Sequence, residues 1–179
     1  MRAGVRVCVD VGSVRVGLAA CDPAGVIASP VRTLVRDGEQ DTDVAEVAAE
    51  VRDRGAIEVV VGWPLSLDGS EGPAALRAAG YADKISAAVP GVPVRLVDER
   101  LSTVDAHRAL HAAGRREKQF RAVVDQVAAV VLLQAALDAE RAGHTPGRVV
   151  QEPQTRRKPR HRKHSGARTS EPDATEGRD

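Results

Sequence analysis

Acidic residues in three parts of this 179-residue chain stand where a carboxylate could serve as a rigid metal ligand. The first, Asp10, directly follows the β-branched run VRVCV and precedes the turn residues Val11-Gly12-Ser13. A carboxylate at the end of a stiff central strand is well placed to bind a cation. Taken alone, Asp10 is also compatible with a simple hairpin cap, because Asp side chains hydrogen-bond to turn backbones.

Asp98 and Glu99 follow the apolar run VRLV, again where a strand gives way to a loop. Adjacent residues on a strand point to opposite faces, so only one of the two can face Asp10. Both could instead be solvated loop charges. The residues themselves leave the choice between Asp98 and Glu99 open.

Asp125 lies in an apolar stretch that is predicted to be helical. From Ala122 to Leu133 every residue other than Asp125 and Gln126 is Ala, Val or Leu. Because burying an unpaired anion is strongly unfavourable, Asp125 should cap the helix, pair with an arginine or bind a cation. The structural alternative is a first-turn Asp that the helix dipole favours.

These acids come from the first strand, the last strand and the closing helix, which an α/β sheet would bring to one edge. Carboxylates in such an arrangement can bridge two divalent ions about 3.5 to 4 Å apart, one activating a water and the other stabilising the leaving 3′-oxygen of a phosphodiester. Oxygen ligands favour Mg²⁺ or Mn²⁺ over zinc. The pattern therefore predicts two-ion phosphodiester hydrolysis.

The elements that would position the acids form an α/β pattern. Val5–Val9 and Arg15–Cys21 are predicted to form a hairpin, and Val26–Leu34 a third strand in which Pro30 indicates an edge or a bulge. The remaining predicted strands are residues 56–62 and 94–97, and the predicted helices are residues 43–54, 74–89, 102–113 and 122–142. We predict a mixed five-stranded sheet, three antiparallel strands and then two parallel ones, flanked by helices. This order matches the ribonuclease H-like fold.

Charge and composition divide the chain into a predicted domain at residues 1–146 and a disordered basic tail at 147–179. Residues 151–179 contain eight Arg/Lys, five Asp/Glu and only two apolar side chains, both Ala, so they cannot bury a core. RRKPRHRKH in this tail suits non-specific attachment to nucleic acid, although a solubilising tail is the simpler alternative. The net charge of +1 leaves the predicted domain slightly acidic.

The two cysteines and the lack of long apolar segments predict a cytoplasmic protein with no membrane contact. Cys8 and Cys21 lie in apolar strand-like runs without His or Cys at zinc-ligand spacing. Buried free thiols are expected, because a reducing cytosol disfavours the alternative, a disulfide. No stretch approaches the roughly 18 apolar residues that span a bilayer.

Four ordered segments resemble the signature motifs of the YqgF family, also called RuvX. They are VCVDVGSVRVGLAACD, VVVGWPLSLDGSEGP, VRLVDERLSTVDA and VVDQVAAVVLLQAALD, between Val5 and Ala142. The family is similar to RuvC-type Holliday junction resolvases in its ribonuclease H-like fold, and its members are described as pre-16S rRNA nucleases or junction resolvases. The resemblance implies that Asp10, Glu99 and Asp125 bind catalytic metals, and it selects Glu99 over Asp98.

Two arginines fall on motif positions, and we assign both Arg15 and Arg100 to phosphate contacts, which a planar guanidinium suits. Arg100 could instead neutralise Asp98 or Glu99, and Arg15 could be an exposed strand residue. Three positions depart from the expected pattern. Val14 replaces a frequent basic residue, Ala128 replaces a fourth acid of RuvC-type enzymes, and Trp63 replaces an aliphatic residue. We expect Trp63 to pack rather than to stack on a nucleotide.

Three functions compete. The first is an endonuclease that processes the 5′ end of pre-16S rRNA or, alternatively, resolves Holliday junctions. An actin-like kinase or ATPase would share the DxG turn, but such proteins need two domains. A non-catalytic nucleic-acid-binding assembly factor would not need all three acids. A symmetric junction would favour a homodimer, whereas trimming of RNA requires none.

Overall fold

A computed structural model describes residues 2–101 and 121–150, with the backbone alone for Leu101 and residues 121–125. The strands of its sheet are β1 (Arg6–Val11), β2 (Arg15–Cys21), β3 (Ala28–Val35), β4 (Glu58–Trp63), β5 (Val94–Asp98) and β6 (Arg148–Val149). The helices are α1 (Thr42–Asp53), α2 (Pro73–Ala88) and α3 (Arg121–Arg141), and a 3₁₀ turn spans Glu99–Leu101. The predicted helix at 102–113 and the tail from residue 151 lie outside the described residues.

The strand pairing confirms the predicted mixed sheet. In space the order is β3-β2-β1-β4-β5-β6. The first three strands pair antiparallel, whereas β4 is parallel to β1 and β5 is parallel to β4. At the edge strand β3 the register shifts between Leu18 and Ala19, whose partners are Arg32 and Pro30. The bulge lies where Pro30 predicted one, because proline cannot donate to a strand ladder.

A sixth strand corrects the predicted number of five. Strand β6 pairs antiparallel with β5, and the next residue, Val150, is buried in the core. Residues 148–150, which we had assigned to the tail at 147–179, therefore belong to the described fold. Gly147 permits this course, because it has a φ of +75° and a side chain there would collide with the carbonyl of Leu96.

Side chains from the sheet pack in two layers. One core joins the sheet to α1 and α2 and contains Val9, Val61 and Leu96. The other joins the sheet to α3 and contains Cys8, Val60 and Val97 together with Leu132 and Leu133 of α3. Because side chains alternate along a strand, Asp10, two residues after Cys8 on β1, projects toward the α3 side.

No helix among the described residues is long and apolar enough to cross a membrane.

Candidate active site

The first candidate ligand, Asp10, lies near the end of β1 opposite Gly17 of β2, and it is half-buried. The turn that follows is closed by the Gly12 N–H, which donates to the Arg15 carbonyl at 2.9 Å. A Cβ on Gly12 would lie only 2.7 Å from that carbonyl oxygen, so this position requires glycine. The tight turn predicted from the sequence is present, and it fixes the end of the strand that carries Asp10.

The second candidate, Glu99, begins the 3₁₀ turn directly after β5. Its carboxylate lies over the backbone of Gly62 in β4, where an added Cβ would be 2.7 Å from Glu99 Oε1 and 3.0 Å from Leu132 Cδ2 of α3. Glu99 is therefore on the same side of the sheet as Asp10. We did not predict that the glycine at position 62 leaves room for the Glu99 carboxylate. The feature of the sequence that could have shown it is the glycine that ends the run VVV.

Electrostatics connect the two acids. The pKa of Glu99 is raised from 4.5 to about 7, first by burial, then by the charge of Asp10 and then by that of Asp98. Burial also raises the pKa of the Cys8 thiol, and the charges of Asp10 and Glu99 add to this effect. Cys8 and Cys21 are buried free thiols, as predicted. A buried carboxylate beside a second negative charge makes an environment that favours a cation.

Asp98 has a different environment from Glu99. It pairs with Trp63 of β4 in the sheet and, by strand alternation, lies on the side of α1 and α2. Its partner is Arg100, whose Nη2 is 2.6 Å from Asp98 Oδ2. Hydrogen bonds from Arg100 lower the pKa of Asp98, so this carboxylate is already neutralised.

Arg100 neutralises Asp98, which the sequence left open as an alternative to a phosphate contact. Besides binding Asp98, its Nη1 donates to the carbonyls of Ser66 and Leu67 at 3.2 Å each. The guanidinium thus ties the loop after β4 to the end of β5. Arg15, the other arginine assigned to phosphate, is the half-buried first residue of β2.

Asp125 lies in the first turns of α3, and its side chain is outside the described atoms. Along the helix, position 125 is one turn before Ala129 and two turns before Leu132, both of which are buried against the sheet. Among the side chains that the structure describes, which exclude that of Asp125, no three His, Cys, Asp or Glu form a metal-binding group. Asp10 and Glu99 supply hard oxygen donors, a set that fits Mg²⁺ or Mn²⁺.

Trp63 packs at the edge of the first core, as we expected. The guanidinium of Arg148 lies 4.6 Å from the centre of its ring.

A family model described as "RuvX: Holliday junction resolvase" matches residues 4–139. The chain belongs to the RuvX family. A relative from Kineococcus radiotolerans named "Putative pre-16S rRNA nuclease" is 73% identical to this RuvX protein over 99% of this chain and 100% of its own length. A relative of the same name from a Nocardioides strain is 51% identical over 85% of this chain and 99% of its own length.

Solved structures place this RuvX protein in the ribonuclease H-like fold. T. thermophilus RuvC in complex with a Holliday junction substrate superposes with a TM-score of 0.54. The two share 14% identity, and the match covers 81% of this chain and 99% of that one. At this identity the likeness establishes the fold alone, and it agrees with the fold predicted from the order of elements.

Proposed function

We propose that this protein is a metal-dependent endonuclease that hydrolyses phosphodiester bonds of structured nucleic acid, in processing of the 5′ end of pre-16S rRNA. The observation that carries the proposal is that Asp10 of β1 and Glu99, directly after β5, share one side of the sheet, where the charge of Asp10 contributes to the raised pKa of Glu99. Membership in the RuvX family and the names of its relatives support the substrate. We also propose a cytoplasmic location for this activity.

In this proposal Asp10, Glu99 and Asp125 are the ligands of Mg²⁺ or Mn²⁺, with two ions as the sequence predicts. Bound divalent ions would supply a water of lowered pKa and would stabilise negative charge on the phosphate. The chain's own contribution is positioning. Asp10 is fixed by the Gly12 turn and Glu99 by its contact with Gly62, while the apolar side chains of α3 exclude water beneath them.

The roles of the two arginines differ in this proposal. Arg15 stays assigned to a phosphate contact at the end of β2. Arg100 is bound to Asp98 and to two loop carbonyls. In this proposal it contacts a phosphate either beside these partners or in place of one of them. The basic segment at residues 156–164 would add salt-dependent attraction to RNA or DNA.

The test is cleavage of precursor 16S rRNA and of a four-way DNA junction, with Mg²⁺ or with EDTA. Asp10→Asn, Glu99→Gln and Asp125→Asn should each lower the cleavage rate by about 10³-fold, which corresponds to about 4 kcal/mol of transition-state stabilisation. Asp138→Asn is the matched control on α3, because Asp138 is exposed near the other end of the helix. Wild-type rates in Asp10→Asn would overturn the site assignment.

Holliday junction resolution is the second candidate, favoured by the description of the family model. Cleavage of the junction, with precursor rRNA left intact, would replace the first proposal by this one. Symmetric resolution would further favour a homodimer, which sedimentation measures directly. Tight binding of either substrate without metal-dependent cleavage would instead indicate a non-catalytic assembly factor.

A further inference from the structure

Arg36, which directly follows β3, connects the turn that follows Asp10 with helices α1 and α2. Its backbone N–H donates to the Val14 carbonyl at 2.9 Å, which continues the β2–β3 pairing by one more bond. Its Nη1 donates to the Gly12 carbonyl at 3.4 Å. Arg36 therefore contacts the β1–β2 turn through both its backbone and its side chain.

The other side of the Arg36 guanidinium is anchored in the core beneath α1 and α2. Its Nε lies 3.3 Å from Asp43 Oδ2, and Asp43 is only 1% exposed. The guanidinium also lies over the Tyr81 ring, 4.7 Å from its centre. An arginine with two buried partners has little rotamer freedom, so its contact with the turn is preorganised.

Asp43 and Tyr81 support each other in this network. The Tyr81 hydroxyl donates to Asp43 Oδ2 at 3.0 Å. Burial and the charge of Asp43 raise the pKa of Tyr81, so the phenol remains a donor. A buried carboxylate without a cation is strongly unfavourable, and Arg36 supplies that cation. The network explains why a charged residue occupies the inward face of α1.

We propose that Arg36 is a positioning residue for Asp10, acting through the Gly12 turn, with Asp43 and Tyr81 as its buried anchors. The inference rests on the proposed function, in which Asp10 is a metal ligand. The turn begins one residue after Asp10, and Arg36 is the link between that turn and the core of α1 and α2. We call the contacts of Arg36 with Gly12, Asp43 and Tyr81 the brace. A displacement of about 1 Å at a reacting centre can lower the rate by about 10²-fold, so the brace affects catalysis without touching substrate.

The test compares Arg36→Gln with Arg32→Gln. Arg32 is the matched control, because it lies on β3 and binds Glu46 and Glu50 of α1 at the surface. We expect Arg36→Gln to raise the half-saturating Mn²⁺ concentration at least threefold and to lower the rate at saturating Mn²⁺ about tenfold. The amide of Gly12 should also exchange with solvent about tenfold faster. Arg32→Gln should change none of the three.

A second variant covers the case in which Arg36→Gln does not fold. Arg36→Met combined with Asp43→Asn removes the buried charge together with its partner, so no unpaired charge is left in the core when the contact with Gly12 is lost. The double variant should fold and show the same slow rate and weakened Mn²⁺ binding. Wild-type values of both in a folded double variant would overturn the proposal.

Failure of the brace can be distinguished from failure of the proposed function. A wild-type protein that cleaves neither RNA nor DNA contradicts the nuclease proposal, whereas Mn²⁺ affinity and Gly12 exchange still measure the brace. Unchanged Gly12 exchange in Arg36→Gln would overturn the brace whatever the wild type cleaves. Faster exchange with unchanged Mn²⁺ affinity and rate would show a structural contact with no bearing on Asp10, and it too would overturn the inference.

Discussion

The two ends of strands β1, β4 and β5 carry charged side chains on the same face of the sheet, beneath the same helix, in opposite arrangements. At the start of the strands lies the arginine–glutamate cluster, formed by Arg2, Arg6, Glu58, Arg95 and Glu140. At the other end lies the carboxylate pair, Asp10 and Glu99. From Arg6 to Asp10 the strand covers about 13 Å, at about 3.3 Å per residue.

Opposite charges are matched throughout the arginine–glutamate cluster. Arg6 is 1% exposed, and its Nη2 lies 2.8 Å from Glu140 Oε2. Glu58 is nearly as buried and binds Arg2 at 2.7 Å and Arg95 at 2.9 Å. A small cavity opens beside these groups, between the sheet and the end of α3. Because its charged side chains already pair with one another, we assign this end of the sheet to stability.

Like charges meet in the carboxylate pair, and in the proposed function this end of the sheet binds metal while the other end stabilises the fold. Burial and Asp10 both oppose ionisation of Glu99, so the folded protein is less stable when Glu99 is charged. Such a cost persists in a fold when it serves a purpose such as binding a cation. The comparison predicts that mutations at the two ends change stability in opposite directions.

The largest effect on stability is expected for Arg6→Met. Removal of this cation leaves Glu140 with only the half-exposed Arg2 as a partner, and breaking a buried pair costs about 3 to 5 kcal/mol. Urea unfolding measures the loss. Glu140→Gln in the same protein should restore part of the stability, because it removes the carboxylate that Arg6 neutralised. An Arg6→Met protein as stable as the wild type would show that the cluster contributes nothing.

Without metal, Glu99→Gln is expected to raise the stability of the folded protein, in contrast to Arg6→Met. The pKa of Glu99 is about 7 in the folded protein and about 4.5 when unfolded, so between these values the folded state binds more protons and stability falls as pH rises. At about 1.4 kcal/mol per pKa unit, and after allowing for partial exposure, the variant should be more stable by on the order of 2 kcal/mol at pH 8.

Two conditions check the origin of that gain. At pH 4.5 the folded wild type carries a protonated Glu99, so the two proteins should unfold at nearly the same urea concentration. Saturating Mg²⁺ should stabilise the wild type more than Glu99→Gln, because it binds only the folded state with an intact ligand set. A gain that is independent of both pH and Mg²⁺ would contradict the electrostatic explanation.

A smaller effect, on activity, is expected for Gly62→Ala. The added methyl group would lie 2.7 Å from Glu99 Oε1, so the carboxylate must move away from its place over β4. We expect cleavage to slow about tenfold, or about 1.4 kcal/mol, with little loss of secondary structure. Gly80→Ala is the control, since a Cβ at Gly80 meets no atom within 4 Å. Equal rates in both variants would show that Glu99 tolerates displacement.

The smallest effect is expected for Arg54→Gln on the surface. Arg54 binds Glu50 one helical turn earlier at 2.9 Å, with 38% of its side chain exposed. Exposed pairs at this spacing contribute about 0.3 to 0.5 kcal/mol. Urea unfolding should therefore detect almost no change, and a loss comparable to that of Arg6→Met would contradict the distinction between buried and exposed pairs.

Local patterns in the sequence were enough to predict most of the fold. Runs of Val and Leu marked strands β1, β2, β4 and β5, and helical spacing marked α1 within one residue at each end. Pro30 predicted the bulge of the edge strand. The two-residue strand β6 was missed, because its pairing with β5 depends on distant residues and on a turn at Gly147 rather than on any apolar run.

The sequence by itself determined the elements and the positions of Asp10, Glu99 and Asp125 along them, because periodicity and motifs are local properties of the chain. The family resemblance selected Glu99 over Asp98, but only the tertiary structure shows that Glu99 shares the side of Asp10, since this depends on which face of β5 packs against α3. Arg6 and Glu140 are 134 residues apart, and Arg36, Asp43 and Tyr81 come from the loop after β3, from α1 and from α2. Contacts of this kind form only when the whole chain packs, because no local pattern encodes a partner so far along the sequence.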